Sequence, residues 1–245
     1  MNSLRSEAID RRVEMAPVSG WAQFKAILRK DLIRELRTRD MIVSMILFVL
    51  LAMVIFHYAF GVKEDVDLTY FTGGMLWVTF IFAMLLGLNR SFAQEKDEHC
   101  LDGLLLCPVD RVTIFFAKTA GNLVFLLIIQ AVAVPVFALF FVQRSFLGDL
   151  LPFLAVLLLA DIGICSLGTL LATISMNTRS RDLLLPILLL PLLVPLLIAA
   201  TGATTLVFAE GIGFGSVVAR LLFLLGFDAV FLLAAWGTYD FAIGE

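Results

Sequence analysis

Three carboxylates in the stretch Arg90 to Lys118, RSFAQEKDEHCLDGLLLCPVDRVTIFFAK, repeat at helical spacing. Glu95, Glu98 and Asp102 fall at i, i+3 and i+7, while Leu101, Leu104 and Leu105, with Asp97 and Pro108, take the other side. One face is then acidic and the other mostly apolar. The stretch concentrates charge between two hydrophobic runs, which suggests a device rather than a mere connector. Pro108 cannot continue the helix, because it lacks an N–H and its ring clashes with the preceding turn; Asp110 is placed to cap the next one. The stretch is expected to fold as short helix, break, long helix.

Other chemically capable residues are scattered. Asp161 and Asp228 are carboxylates within apolar runs, and an intramembrane carboxylate is costly enough to be a functional candidate by default. Asn122 and Gln130 are amides inside another apolar run, where they either line a path or hydrogen-bond a neighbouring helix. His57 and His99 are the two histidines. Cys100, Cys107 and Cys165 include no Cys-x-x-Cys pair, which argues against a disulfide framework. His99 points about 100° away from Cys100 on a helix, so no metal ligand set is expected.

These residues are positioned by an unusually apolar chain. Of 245 residues, 61% are hydrophobic, against roughly 45–50% in soluble domains. The chain therefore reads as an all-α integral membrane protein. The net charge of -3 matters less than where the charges lie, and nothing indicates a nucleic-acid partner. Residues 1–18 mix charged and small residues and read as a mobile cytoplasmic tail. Across 19–40, Trp21, Phe24, Ile27, Leu28, Leu32 and Leu36 recur at three and four, with Lys25, Arg29, Lys30, Arg34 and Arg37 between them. That pattern predicts a basic amphipathic helix lying in the membrane interface among lipid headgroups.

Six apolar segments follow in 41–245: Met41 to Phe60, Phe71 to Asn89, Thr113 to Val142, Leu150 to Ser175, Leu183 to Phe208 and Val217 to Trp236. Each is long enough to cross about 30 Å of hydrocarbon. Gly73, Gly74 and Gly87 supply flat surface for close packing in the second. Lys118 is expected to reach the headgroup region from the third. Pro186, Pro191 and Pro195 each remove a backbone donor from the fifth, which is expected to be bent or locally unwound, as a static kink or a hinge. Fifteen of the eighteen Lys and Arg fall on one side of this topology, leaving Lys63, Arg144 and Arg220 on the other. Both termini and the Arg90–Lys118 stretch are thus assigned to the cytoplasm.

No Walker A sequence, His-Glu-x-x-His or Ser-His-Asp arrangement is present. The chain reads as a non-catalytic subunit whose energy comes from a partner or an ion gradient. The N-terminal helix, six spans and polar segment 90–118 resemble the permease subunits of ABC-2 type exporters. Within that group, Trp21 to Arg39, Leu88 to Lys118 and the proline-punctuated Leu183 to Ile198 resemble the haem exporter protein B (CcmB) family. The family's segment pattern is an acidic residue, Gly-Ser/Thr-Leu-Glu, one residue, leucines and a proline. Glu98, Leu101, Leu104, Leu105 and Pro108 match; Asp102 keeps the charge, and His99 and Cys100 stand where the pattern has Gly and Ser/Thr.

The resemblance implies a multi-pass subunit of the cell inner membrane acting in cytochrome c maturation. An ATPase partner (CcmA-like) would bind ATP and dock on Glu95, Glu98 and Asp102, while Leu101, Leu104 and Leu105 pack on the bundle. It also implies a haem-handling membrane subunit (CcmC-like), a small membrane subunit (CcmD-like) and, indirectly, a periplasmic haem chaperone (CcmE-like). Haem would be cargo of the complex, with no cofactor held directly by this chain. His57 and His99 fall on opposite sides of the membrane and cannot share one haem. Two other classes stay open: an ABC-2 exporter of a drug, lipid or polysaccharide, and an ion-driven transporter using Asp161 or Asp228.

Overall fold

A computed structural model of the chain describes residues 19–60, 69–97, 109–141, 150–176, 178, 181–208 and 214–243. Among them are seven helices: α1 Gly20–Thr38, α2 Asp40–Phe60, α3 Thr69–Asp97, α4 Arg111–Phe141, α5 Leu150–Met176, α6 Arg181–Phe208 and α7 Phe214–Ile243. The last six are each long and apolar enough to cross a membrane. A bilayer accepts such helices because their backbone groups bond within the segment, save the carbonyls left without a donor by Pro135 in α4 and by Pro186, Pro191 and Pro195 in α6.

Ser19 starts α1, its hydroxyl accepting from the Ala22 N–H at 3.4 Å. Glu35 then ends α1 and begins α2. Its carbonyl takes the Arg39 N–H at 2.6 Å, with Arg39 in the left-handed region at φ 58°. Its carboxylate accepts from the Met41 and Ile42 N–H groups, each at 2.9 Å. These are donors that a helix start would otherwise leave unpaired. One side chain thereby sets the angle between the amphipathic helix and the first span.

Cross-helix contacts show consecutive spans running in opposite directions. Arg90 near the end of α3 meets Asp40 at the start of α2, 2.9 Å away. Asn122 near the start of α4 bonds Thr169 near the end of α5. Thr173 pairs with Tyr239, both near the ends of their helices. All these groups lie with α1 at one end of the bundle, the basic end.

Helix α5 is central, packing on α3, α4, α6 and α7. Most of the apolar stretch of α3 and α5 is buried, whereas α2, α6 and α7 keep most of theirs outward. Met41, Met45, Val49 and Met53, four apart, form the stripe by which α2 joins the core. Close approach is required at Gly73: a Cβ there would lie 3.0 Å from the Thr201 carbonyl of α6. Nearby the Trp77 indole N–H donates to the Thr204 hydroxyl at 2.9 Å.

Three expectations change. The polar stretch from Arg90 does not begin a new helix: its residues to Asp97 are the last turns of α3. A helix whose backbone bonds continue loses nothing by leaving the apolar layer, so hydropathy alone could not mark its end. Second, α6 is not locally unwound, being helical from Arg181 to Phe208 with all three prolines inside. Pro191 and Pro195 lie on its exposed side, while Leu185, Leu189, Leu193 and Leu196 face the core. Third, the inward face of α1 differs from its apolar stripe. Ile27 and Glu35 are buried, and Trp21 and Leu36 are 65% and 56% exposed.

Candidate functional site

The basic end is assembled around Lys118. It lies two turns into α4, 4% exposed. Its ammonium donates to Asp31 Oδ2 of α1 at 2.9 Å and to Glu95 Oε1 of α3. Asp31 is also paired with Lys30 at 3.2 Å. A buried cation requires such partners, since desolvating an unpaired charge costs several kcal/mol. Beside this cluster, the Arg34 guanidinium donates to Gln94 Oε1 at 3.4 Å, and that of Arg90 to Ser44 Oγ at 3.2 Å. Below it, Ile27 of α1 joins Ile114, Phe115 and Ala117 of α4, Leu170 of α5 and Tyr239 of α7 in a second apolar cluster.

Two residues read from the sequence change roles here. Glu95 is no docking-face residue: at 1% exposure it continues the stripe Leu88, Phe92, Glu95, which is the inward face of α3. Lys118 does not extend to the headgroups, because two carboxylates meet it inside the bundle. Glu98, Leu101, Asp102, Leu104, Leu105 and Pro108 lie outside the described residues, as do His99, Cys100 and Cys107. What is described is their frame. The segment 98–108 leaves from the end of α3 and returns just before Asp110, whose Oδ1 accepts from the Val112 N–H at 3.4 Å. The sequence signal for the missed partners lies in α1, where Ile27, Asp31 and Glu35 are four apart. The only two acids of that helix stand in line with its buried isoleucine.

Deeper in the bundle, the Gln130 amide of α4 donates to Asp161 Oδ1 of α5 at 2.8 Å, and the Asn122 amide to Thr169 at 2.9 Å. Both amides therefore join helices, a common use of polar side chains in membranes. Asp161 Oδ2 and Gln130 Oε1 have no partner among the described residues. Asp228 of α7 is placed elsewhere. Its Oδ1 lies against Gly163, 2.6 Å from where a Cβ would stand. Residues two apart on a helix point about 200° apart, so Asp161 and Asp228 sit on opposite sides of α5 and form no carboxylate pair. His57, near the far end of α2, stacks on Phe140 with ring centroids 4.7 Å apart. Among the described residues no group of three or more His, Cys, Asp or Glu is arranged to hold a metal.

Among the described residues the arrangement is a set of helices braced at one end, with no carboxylate pair and no group placed to hold a metal. A family model described as CcmB protein matches residues 22–243. Heme exporter protein B of Paracoccus denitrificans is 30% identical over 220 residues, covering 89% of this chain and 95% of the relative. Heme exporter protein B of Rhodobacter capsulatus is 29% identical over 175 residues, covering 71% and 78%. The Pseudomonas aeruginosa protein of the same name is 25% identical over 181 residues, covering 74% and 79%. The matched region begins within α1 and ends with α7, so it takes in the braced end and all six spans, and by that extent the chain belongs to the CcmB family.

Proposed function

We propose that this chain is the transmembrane permease subunit of an ATP-driven haem-export complex in cytochrome c maturation. In this reading the basic end faces the cytoplasm. An ATPase subunit docks there on the segment 98–108, through Glu98 and Asp102. Nucleotide-driven movement of the ATPase passes into α3 and α4, and the complex delivers haem or releases a haem-loaded chaperone on the other side. Haem-handling and small membrane subunits accompany it.

The observation that carries the reading is the match to relatives named heme exporter protein B across nearly the whole chain. The geometry supports the mechanical part. A segment can pass force into a bundle only if its ends are anchored, and α3 and α4 are joined through Lys118 directly beside it. The far end holds one described histidine, His57, stacked among aromatic rings, which favours chaperone release over haem ligation by this subunit.

Deletion and complementation test the proposal. Deleting the gene is expected to abolish covalent haem attachment to c-type cytochromes while b-type haem proteins persist, and re-expression of this chain is expected to restore it. Normal c-type cytochromes in the deletion strain would contradict the reading and favour export of another cargo.

A further inference from the structure

Lys118 is the one lysine or arginine among the described residues that is buried, and three helices meet on it. A hydrophobic trio of similar volume would hold α1, α3 and α4 together at least as well, since ion pairs in low dielectric barely repay their desolvation. What an ionic trio adds is direction: one ammonium with two carboxylates defines where each helix sits along and around its axis. The position is specific. Glu95 is two residues from the end of α3, Lys118 is seven residues into α4, and between them lies the segment 98–108. Asp31 comes from α1, which touches neither end of that segment by chain connection. Movement entering at 98–108 therefore meets a knot that includes a third helix.

The charges in α1 are sorted to match. Asp31 and Glu35 turn inward, to Lys118 and to the start of α2, while Lys25, Arg29, Lys30 and Arg37 stay on the exposed side. The inward acids are both engaged in fixing other helices. In α3, Glu95 Oε2 has no partner among the described residues, so this carboxylate is held through Lys118 alone.

We propose that Lys118 is a positioning residue for coupling. It keys α1 to the two stems of the docking segment, so that displacement of the segment moves the end of α3, the start of α4 and α1 as one body. The proposal rests on the function proposed above, and its test separates the two. Lys118→Met alone leaves two carboxylates buried side by side, and that variant is not expected to accumulate. The informative variant is Asp31→Asn/Glu95→Gln/Lys118→Met, which keeps side-chain size and removes all three charges. The full complex with its ATPase is purified from membranes. Four quantities are read: accumulation, co-purifying ATPase, the ATP hydrolysis rate, and haem-loaded chaperone released per ATP.

The triple variant is expected to accumulate, to keep its ATPase and to hydrolyse ATP, with release per ATP lowered about tenfold. Lys118→Arg, which preserves the charge, is expected to stay close to wild type in all four. Wild-type release per ATP in the triple variant would overturn the proposal, as would its failure to accumulate, which would make the trio a folding device. Absence of any ATPase from the wild-type preparation would instead defeat the functional reading and leave the braced geometry intact.

Discussion

Glu35 has an outsized role for one side chain. Its carboxylate holds the Met41 and Ile42 N–H groups in the first turn of α2, at 2.9 Å each, in a place 5% exposed. Glu35→Ala should cost about 1.5–3 kcal/mol, the usual worth of hydrogen bonds to a charged group. Lower unfolding midpoints in detergent would register it, whereas an unchanged midpoint would mean that water replaces the cap. Asp161 invites the opposite comparison. Asp161→Asn keeps an oxygen for the Gln130 amide and offers an N–H to Gln130 Oε1, so it should be at least as stable as wild type. Asp161→Leu orphans the Gln130 amide and should lose about 1–3 kcal/mol. If Asp161→Asn kept its stability but lost haem delivery, the carboxylate would have a chemical role beyond joining α4 to α5. At this scale the sequence marked Asp161, Gln130 and Asn122 as intramembrane polar groups, and their partners required the fold. It pointed Glu95 outward because i+3 and i+7 spacing groups residues on a face without saying whether that face is wet.

At the scale of elements, periodicity and length located every span, because about 20 apolar residues have few alternatives to crossing a bilayer. Helix ends in water were less legible: α3 continues to Asp97 and α7 to Ile243, past their apolar runs. The packing partners of each span were not legible at all. Outside lipid and inside core are both apolar, so Leu189 at 0% and Ile187 at 67% exposure look alike in sequence. Glycines were a partial exception, since a missing side chain has meaning on a crowded face. Gly73→Ala would set a Cβ 3.0 Å from the Thr201 carbonyl and force α3 and α6 apart, at a cost of about 1–3 kcal/mol. Thermal unfolding of the purified variant reads this directly. Gly226→Ala, where a Cβ meets nothing within 4 Å, is the control and should be neutral or mildly stabilising.

Across the whole molecule, one end is polar and braced and the rest is a bundle of apolar helices around α5. Asp31, Glu35, Arg90, Glu95 and Lys118 all sit at that end, tying α1 to α4 in pairs or trios. Fifteen of eighteen basic residues fall on the side to which the spans assign it. The proposed function takes that side, by the positive-inside rule, as the cytoplasmic one, where ATP is available. A chain without a nucleotide motif, braced beside the segment 98–108 with its acids and leucines, fits the proposed role of receiving force. The match to the CcmB family over residues 22–243 takes in both the braced end and the six spans.

Co-purification tests the central claim most directly. The tagged chain, expressed with its neighbouring genes and extracted in mild detergent, should bring down an ABC ATPase. The Glu98→Lys/Asp102→Lys variant should insert in the membrane at wild-type levels and lose most of that ATPase. Retention of the ATPase at wild-type level by the charge-reversed variant would contradict docking through this segment.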